Sequence, residues 1–354
     1  MRLNFDPILV LSLAGLSGFS LAVIASTNPK LFPSQLIFFL LSAGLYIIFA
    51  RLDYRVYKPL LGFLYLVSVI SLIIPFIGPE IRGAQRWIDI LGFRLQTSEV
   101  VKPAIFVILA QILSQTKFLH LPSKLAAGLA ISLPILIIFK QPDLGNVIVY
   151  LGVFVLLLIA RGIKIRNILS LAIVSVLFFP LIWNNLAEYQ KLRIITFLDP
   201  GADPAGAGYN ALQSTIAIGS GGIFGLGLGR GTQSHLRFLP EFHTDFAFAS
   251  QIEEFGFISG IFILACYFIL LFRLLLIARQ TADSFGRLIV IALFSQIIIQ
   301  LFINIGMNIG ILPVTGITLP FLSYGGSSII GLSIALGLVY SVDSQNVGKP
   351  LVVA

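Results

Sequence analysis

The stretch Phe238-Leu239-Pro240-Glu241-Phe242-His243-Thr244-Asp245-Phe246 puts two acids and a histidine into five positions, directly ahead of a long apolar run over 251–272. Only 11% of the chain is charged and 57% is hydrophobic. A carboxylate beside apolar segments is costly unless it is paired or used, so Asp245 is a candidate functional residue. It could also cap the helix that follows, since Asp favours that position. A capping box is ruled out, because Phe248 stands where Glu or Gln would be needed. Residue chemistry alone leaves an active role, a cap and a structural ion pair all open.

Working outward, the chain repeats apolar runs of the length that spans a bilayer, and its mean hydropathy of +1.00 excludes an ordinary soluble domain. Ten spans are expected, near 8–26, 33–50, 59–77, 99–115, 125–139, 145–160, 167–183, 251–272, 288–306 and 326–342. The break Lys140-Gln141-Pro142-Asp143 allows a bent hairpin between the fifth and sixth. The first run reads as a retained helix rather than a cleaved signal peptide. Fold class is therefore all-α integral membrane protein, one polytopic domain over 1–354, with a large extracytoplasmic loop near 184–250 between helices 7 and 8.

Basic residues cluster in alternate connections: Arg51, Arg55 and Lys58; Lys117 and Lys124; Arg161, Lys164 and Arg166; Arg273, Arg279 and Arg287. Positive-inside topology places these loops and both termini in the cytoplasm. The net charge of +8 is thereby explained by topology, without a nucleic-acid partner. On the other side stand Lys30, Arg82, Arg86, Arg94, Lys102, Lys140, Lys191, Arg193, Arg230 and Arg237 among eleven acids. Pairing explains part of that set, and a bound anion at the outer surface would explain the rest.

The 184–250 loop carries ten glycines between Gly201 and Gly231, a density that predicts close backbone approach or tight re-entrant turns. It matches neither the P-loop nor the dinucleotide fingerprint, so no nucleotide is expected. Ser98 is placed to cap the fourth span, and Glu99 and Lys102 share a helical face and can pair. They either neutralise each other near lipid or hold an anionic head group. Asp143 reads as a helix cap on its own. Asn304, Met307 and Asn308 lead into a Pro/Gly-rich segment through Ser328, which must be buried in protein or line a wet cavity. His120, His235 and His243 lack zinc spacing with any cysteine, and Cys266 reads as an inert buried thiol.

Stretches 83–88, 96–102, 141–145, 189–200, 208–210, 213–222, 231–245, 253–254 and 304–328 resemble, in order, the SEDS family of RodA and FtsW proteins of bacterial cell-wall synthesis. Gly231-Thr232-Gln233-Ser234 looks more like the RodA branch. The resemblance implies ten transmembrane helices in the bacterial cytoplasmic membrane. It implies a peptidoglycan glycosyltransferase that polymerises lipid II at the outer face for cell elongation, with a class B penicillin-binding protein as partner. Asp245 matches the family's essential aspartate, and Glu99 and Lys102 match its cavity pair. Leu226 departs from the usual lysine of the glycine-rich loop.

Residue chemistry fits such a transferase. Asp245 would be the base for an acceptor hydroxyl, with inversion at the lipid-linked donor strand. Arg86, Lys102 and Arg193, with or without a divalent cation such as Mg2+ or Mn2+, would steady the leaving diphosphate, while Asp143, Glu241 and Thr244 would line the substrate site. His243 would orient the loop. A lipid II transporter that makes no bond, and a scaffold that only docks the partner, are the rival readings.

Overall fold

The computed structural model describes residues 6–78, 80, 84–90, 92–115, 121–177, 179–199 and 206–346. Arg2, Arg82, Lys117, His120, Asp203 and Lys349 lie outside them. The helices in chain order are α1 (Pro7–Thr27), α2 (Phe32–Arg51), α3 (Leu61–Ile73), α4 (Thr97–Val100), α5 (Lys102–Ser114), α6 (Leu121–Lys140), α7 (Leu144–Ala160) and α8 (Ile165–Leu177). They continue with α9 (Phe179–Asn185), α10 (Glu188–Leu198), α11 (Ala207–Ser220), α12 (Thr232–His235), α13 (Ala247–Gln280), α14 (Ser284–Asn308) and α15 (Gly326–Asn346). One small antiparallel hairpin, β1 (Trp87–Ile90) and β2 (Phe93–Gln96), pairs Asp89 with Arg94. The sequence reading did not anticipate it.

Among the described residues, six stretches are long and apolar enough to cross a membrane: Pro7–Thr27, Pro29–Arg51, Tyr54–Ile77, Ala247–Gln280, Ser284–Asn308 and Gly326–Gln345. Shorter apolar helices, Lys102–Ser114, Leu125–Lys140 and Leu144–Ala160, meet three more of the expected spans. The remaining one, near 167–183, is divided between α8 and α9. Leucines, isoleucines and phenylalanines on α1, α2, α3 and α13 face outward, as lipid-facing surfaces do. The protein is an all-α, multi-pass membrane protein.

Carboxylates set three helix starts. Asp6 accepts from Ile8 N, Asp143 from Asn146 N and Asp283 from Gly286 N. Asp143 is thus the cap that its sequence position suggests. Two other capping expectations fail. Asp245 does not cap α13, whose cap is Phe246, and Ser98 sits inside α4 rather than at its cap, Gln96. Pro103 explains why α5 restarts after Val101: a proline in the first turn lacks only an N–H that had no helical partner. The Lys140–Asp143 break divides α6 from α7, two separate helices packed on each other.

Contacts between loops distant in sequence sort them into two ends. At one end Tyr54 donates to Asp283 at 2.8 Å and Arg273 pairs with Asp6. At the other lie β1–β2, the α6–α7 turn and the segment preceding α13. Here the glycine-dense loop after α11 is locked against a break in α13 at Gly256, where φ is 77°. Leu226 N and Gly227 N donate to the carbonyls of Glu253 and Glu254, and Phe257 N donates back to Gly222. A Cβ on Gly225 would lie 2.2 Å from the Glu254 carbonyl oxygen, so close approach is the reason for glycine. The sequence placed the helix at 251 without this break. Periodicity continues across it, and only the backbone angle marks it.

Candidate active site

Asp245 lies in a turn between α12 and α13 that is held from below by α14. Asn304 Nδ2 donates to the Asp245 carbonyl at 2.9 Å and to the Ile317 carbonyl at 2.7 Å. Asn308 Nδ2 reaches the same Asp245 carbonyl at 3.1 Å, while its Oδ1 accepts from Ala249 N at 3.1 Å. Two buried amides thus fix the backbone on both sides of the carboxylate, satisfying groups that apolar surroundings would leave unpaired. Leu239, Phe242 and Phe246 pack beneath with Met307 and Val314.

Glu241 and Thr244 complete the turn. Thr244 Oγ1 donates to Glu241 Oε2 at 3.0 Å, and Thr244 N and Phe246 N both donate to the Glu241 carbonyl. The His243 ring stands edge-on to Phe242 and Tyr324, with centroids 5.0 and 5.7 Å away. Its carbonyl accepts from Tyr324 N at 2.8 Å. His243 therefore joins the turn to the segment before α15.

Arg193 of α10 approaches from the side. A Cβ on Gly316 would lie 3.4 Å from Asp245 Oδ2 and 3.5 Å from Arg193 Nη1, so carboxylate and guanidinium both border the space above this glycine. The Arg193 guanidinium also covers the Tyr189 ring at 5.5 Å, and Tyr189 Oη donates to the Pro142 carbonyl. Burial pushes the Asp245 carboxyl above the usual carboxylate range and Glu241 adds to it, while Arg193, Arg86 and the Thr244 hydrogen bond pull the other way. A raised proton affinity moves a carboxyl towards what a general base requires.

Asp143 anchors the other half. It accepts from Gln96 Nε2 at 2.5 Å, Ser98 Oγ at 3.2 Å and Asn146 Nδ2 at 2.8 Å, and Arg86 Nη1 stands 3.7 Å away. Behind it, Lys102 Nζ donates to Glu99 Oε1 at 2.6 Å, with Lys102 0% and Glu99 7% exposed. The pair forms as its spacing predicts, but the lysine is sealed inside and points at its partner. Tyr150 Oη donates to the Ser98 carbonyl at 2.8 Å.

The structure therefore brings Arg86, Arg193, Glu241, Thr244 and Asp245 together beside Asp143, with Glu99 and Lys102 buried beneath Asp143. Asn146 and Tyr150 were missed, although both follow Asp143 along α7 at helical spacing. Asn304 and Asn308 were singled out without their task. Among the described residues no three His, Cys, Asp or Glu side chains group closely enough to hold a metal ion. The site carboxylates are matched instead by arginines and amide donors, so a ready-made ligand cage for a divalent cation does not fit.

Residues 7–347 match the family model of FtsW, RodA and SpoVE, described as cell cycle protein. The chain belongs to this family. Peptidoglycan glycosyltransferase MrdB of Escherichia coli K12 is 38% identical over 97% of this chain and 95% of its own length. A probable peptidoglycan glycosyltransferase FtsW of Geobacter metallireducens is 34% identical over 98% and 96%. Among solved structures, a chain from a study of how a peptidoglycan synthase complex coordinates polymerization and crosslinking superposes with a TM-score of 0.83. It is 28% identical and is covered over 100% of its length by 98% of this chain. The rod shape determining protein RodA of Thermus thermophilus gives 0.74 at 26% identity, over 98% of this chain and 99% of that one. As a FtsW/RodA/SpoVE protein the chain keeps the helical scaffold of these relatives nearly end to end.

Proposed function

We propose that this protein is a peptidoglycan glycosyltransferase that joins lipid II units into glycan strands for cell elongation, with Asp245 as its base. The end of the bundle carrying Asp245 would face outward from the bacterial cytoplasmic membrane. The positively charged loops and both termini would lie in the cytoplasm, as loop charge favours. A class B penicillin-binding protein would act beside it on the strands, a reading supported by the similarity to a synthase complex that polymerises and crosslinks.

The observation that carries the reading is the setting of Asp245. It caps no helix, its backbone is clamped by two asparagines, and its carboxylate shares the space above Gly316 with Arg193. In the reaction, Asp245 takes the proton of the acceptor's sugar hydroxyl as that oxygen bonds to the donor's anomeric carbon. The bond from that carbon to the diphosphate breaks, and the diphosphate leaves with the electron pair. One base suffices because the leaving group needs charge stabilisation rather than a proton. Arg193 would supply it, with Arg86 held by Asp143 across the site. Lys102, fully buried on Glu99, would act by holding α4 and α5 rather than by touching phosphate.

Purified lipid II incubated with the wild-type protein should yield long glycan strands on a gel, and Asp245→Asn should abolish them. Strands formed by Asp245→Asn would remove Asp245 as the base. Transfer of labelled lipid II across liposomes with no strand formed by the wild type would favour a transporter.

A further inference from the structure

A cavity of about 210 Å³ opens on the Arg193 side of the site, with Arg193 and Phe197 of α10, Leu212 and Thr215 of α11, and Leu312 and Val314 of the α14–α15 connection among its walls. Among the described residues Arg193 is its one ionisable wall residue, and the rest of the lining is mainly apolar. Gly310, at φ +80, keeps the wall opposite Thr215 open: a Cβ there would lie 3.5 Å from Thr215 Cγ2. Beside the cavity Leu198, Leu212 and Ile311 are 78%, 57% and 58% exposed. Such an apolar rim belongs against lipid rather than water.

A cation at one end of an apolar cavity with an apolar rim fits a molecule with an anionic head and a hydrocarbon tail. On the reading of the previous subsection, two such molecules meet here, and their chemistry separates them. The donor's reacting carbon is bonded directly to a diphosphate oxygen. The acceptor's diphosphate stands a whole disaccharide away from its attacking hydroxyl. The guanidinium that shares a contact point with the base must therefore face the donor's diphosphate. Arg86 is engaged by Asp143 at 3.7 Å on the opposite flank.

We propose that the cavity between α10, α11 and the α14–α15 connection is the donor subsite, in which Arg193 grips the diphosphate and the polyprenyl chain runs past Leu212 and Thr215 to the lipid. The growing strand is then held on the α10–α11 side, and the acceptor enters from the Arg86–Asp143 side.

The test uses the full chain in liposomes and a labelled donor-only probe, lipid II whose terminal sugar lacks the hydroxyl that attacks. The probe is made with a long polyprenyl or a geranyl tail, and unlabelled lipid II of either tail serves as acceptor. Thr215→Phe fills the cavity. It should raise the ratio of KM for the long-tailed to the geranyl donor by about tenfold, the effect of losing one well-packed contact. Acceptor tail length should not alter that ratio. Leu212→Gln, at the exposed rim where it cannot crowd the interior, should move the ratio the same way by a smaller factor. If the acceptor's tail responds instead, or neither tail does, the donor assignment is overturned. A wild-type protein that never joins the two probes would overturn the transferase reading as well; one that joins them without tail sensitivity in either variant overturns the subsite alone.

Discussion

Asn304 Nδ2 bridges the carbonyls of Asp245 and Ile317, at 2.9 and 2.7 Å, so α14 ties the loop of the carboxylate to the loop carrying Gly316. The opening between Asp245 and Arg193 is thereby set by a residue that touches no substrate. Asn304→Leu would leave the Ile317 carbonyl without this donor and the Asp245 carbonyl with Asn308 alone, a loss of about 1–3 kcal/mol. Because the carboxylate would lose its placement rather than its chemistry, kcat for lipid II polymerisation should fall roughly tenfold or more, with KM little changed. Steady-state kinetics beside a thermal unfolding curve would check this, and an unaltered kcat would refute the positioning role.

The buried Glu99–Lys102 pair makes a distinct forecast. Removing one member of a buried pair strands the other's charge, at about 3–5 kcal/mol, whereas replacing both can be nearly neutral. Glu99→Gln and Lys102→Met should each lower the unfolding temperature markedly, and the double variant should recover most of the loss. Equal destabilisation in all three would mean that the pair does not work as a unit.

How far these features could be read from sequence follows from their range. Helix positions were legible because runs of apolar residues record the bilayer's thickness directly. The Glu99–Lys102 contact was legible because it depends on spacing within one turn. The meeting of Asp245 with Arg193 was not, since it joins α10 to the turn before α13 across Gly316, and no local pattern encodes it. Asp245 could be mistaken for a cap because Asp suits that position. Only the geometry shows Phe246 taking it. The glycine cluster announced close approach but not its partner, the break at Gly256 inside an otherwise continuous apolar helix.

That break supplies a third forecast. Gly256 has φ 77°, and a Cβ on it would lie 2.3 Å from Gly225 N. Gly256→Ala would combine an unfavourable backbone region with a clash against main chain that cannot swing aside, costing about 1–3 kcal/mol from the backbone alone. The loop 219–230 should detach first, becoming open to limited proteolysis below the global unfolding temperature. Unchanged cleavage of that loop would mean that the clasp is not what holds it.

The raised proton affinity of Asp245 makes the last forecast, with opposite signs for activity and stability. As a base it must be ionised, so polymerisation should fall as pH drops through a value above the ordinary carboxylate range. Arg193 is among the influences that lower that value, so Arg193→Gln should move the acidic limb of the kcat profile to higher pH. For stability, a folded-state pKa above the unfolded one means that the native protein holds the proton more tightly. That contribution is fully present below the unfolded pKa and is lost as pH rises through the folded value. Asp245→Asn should therefore unfold at a higher temperature than wild type at neutral pH, and the gain should vanish in acid. Unfolding curves of the two proteins across pH would read this directly. An asparagine variant less stable at neutral pH would show that the ionised carboxylate is held by the fold rather than strained against it.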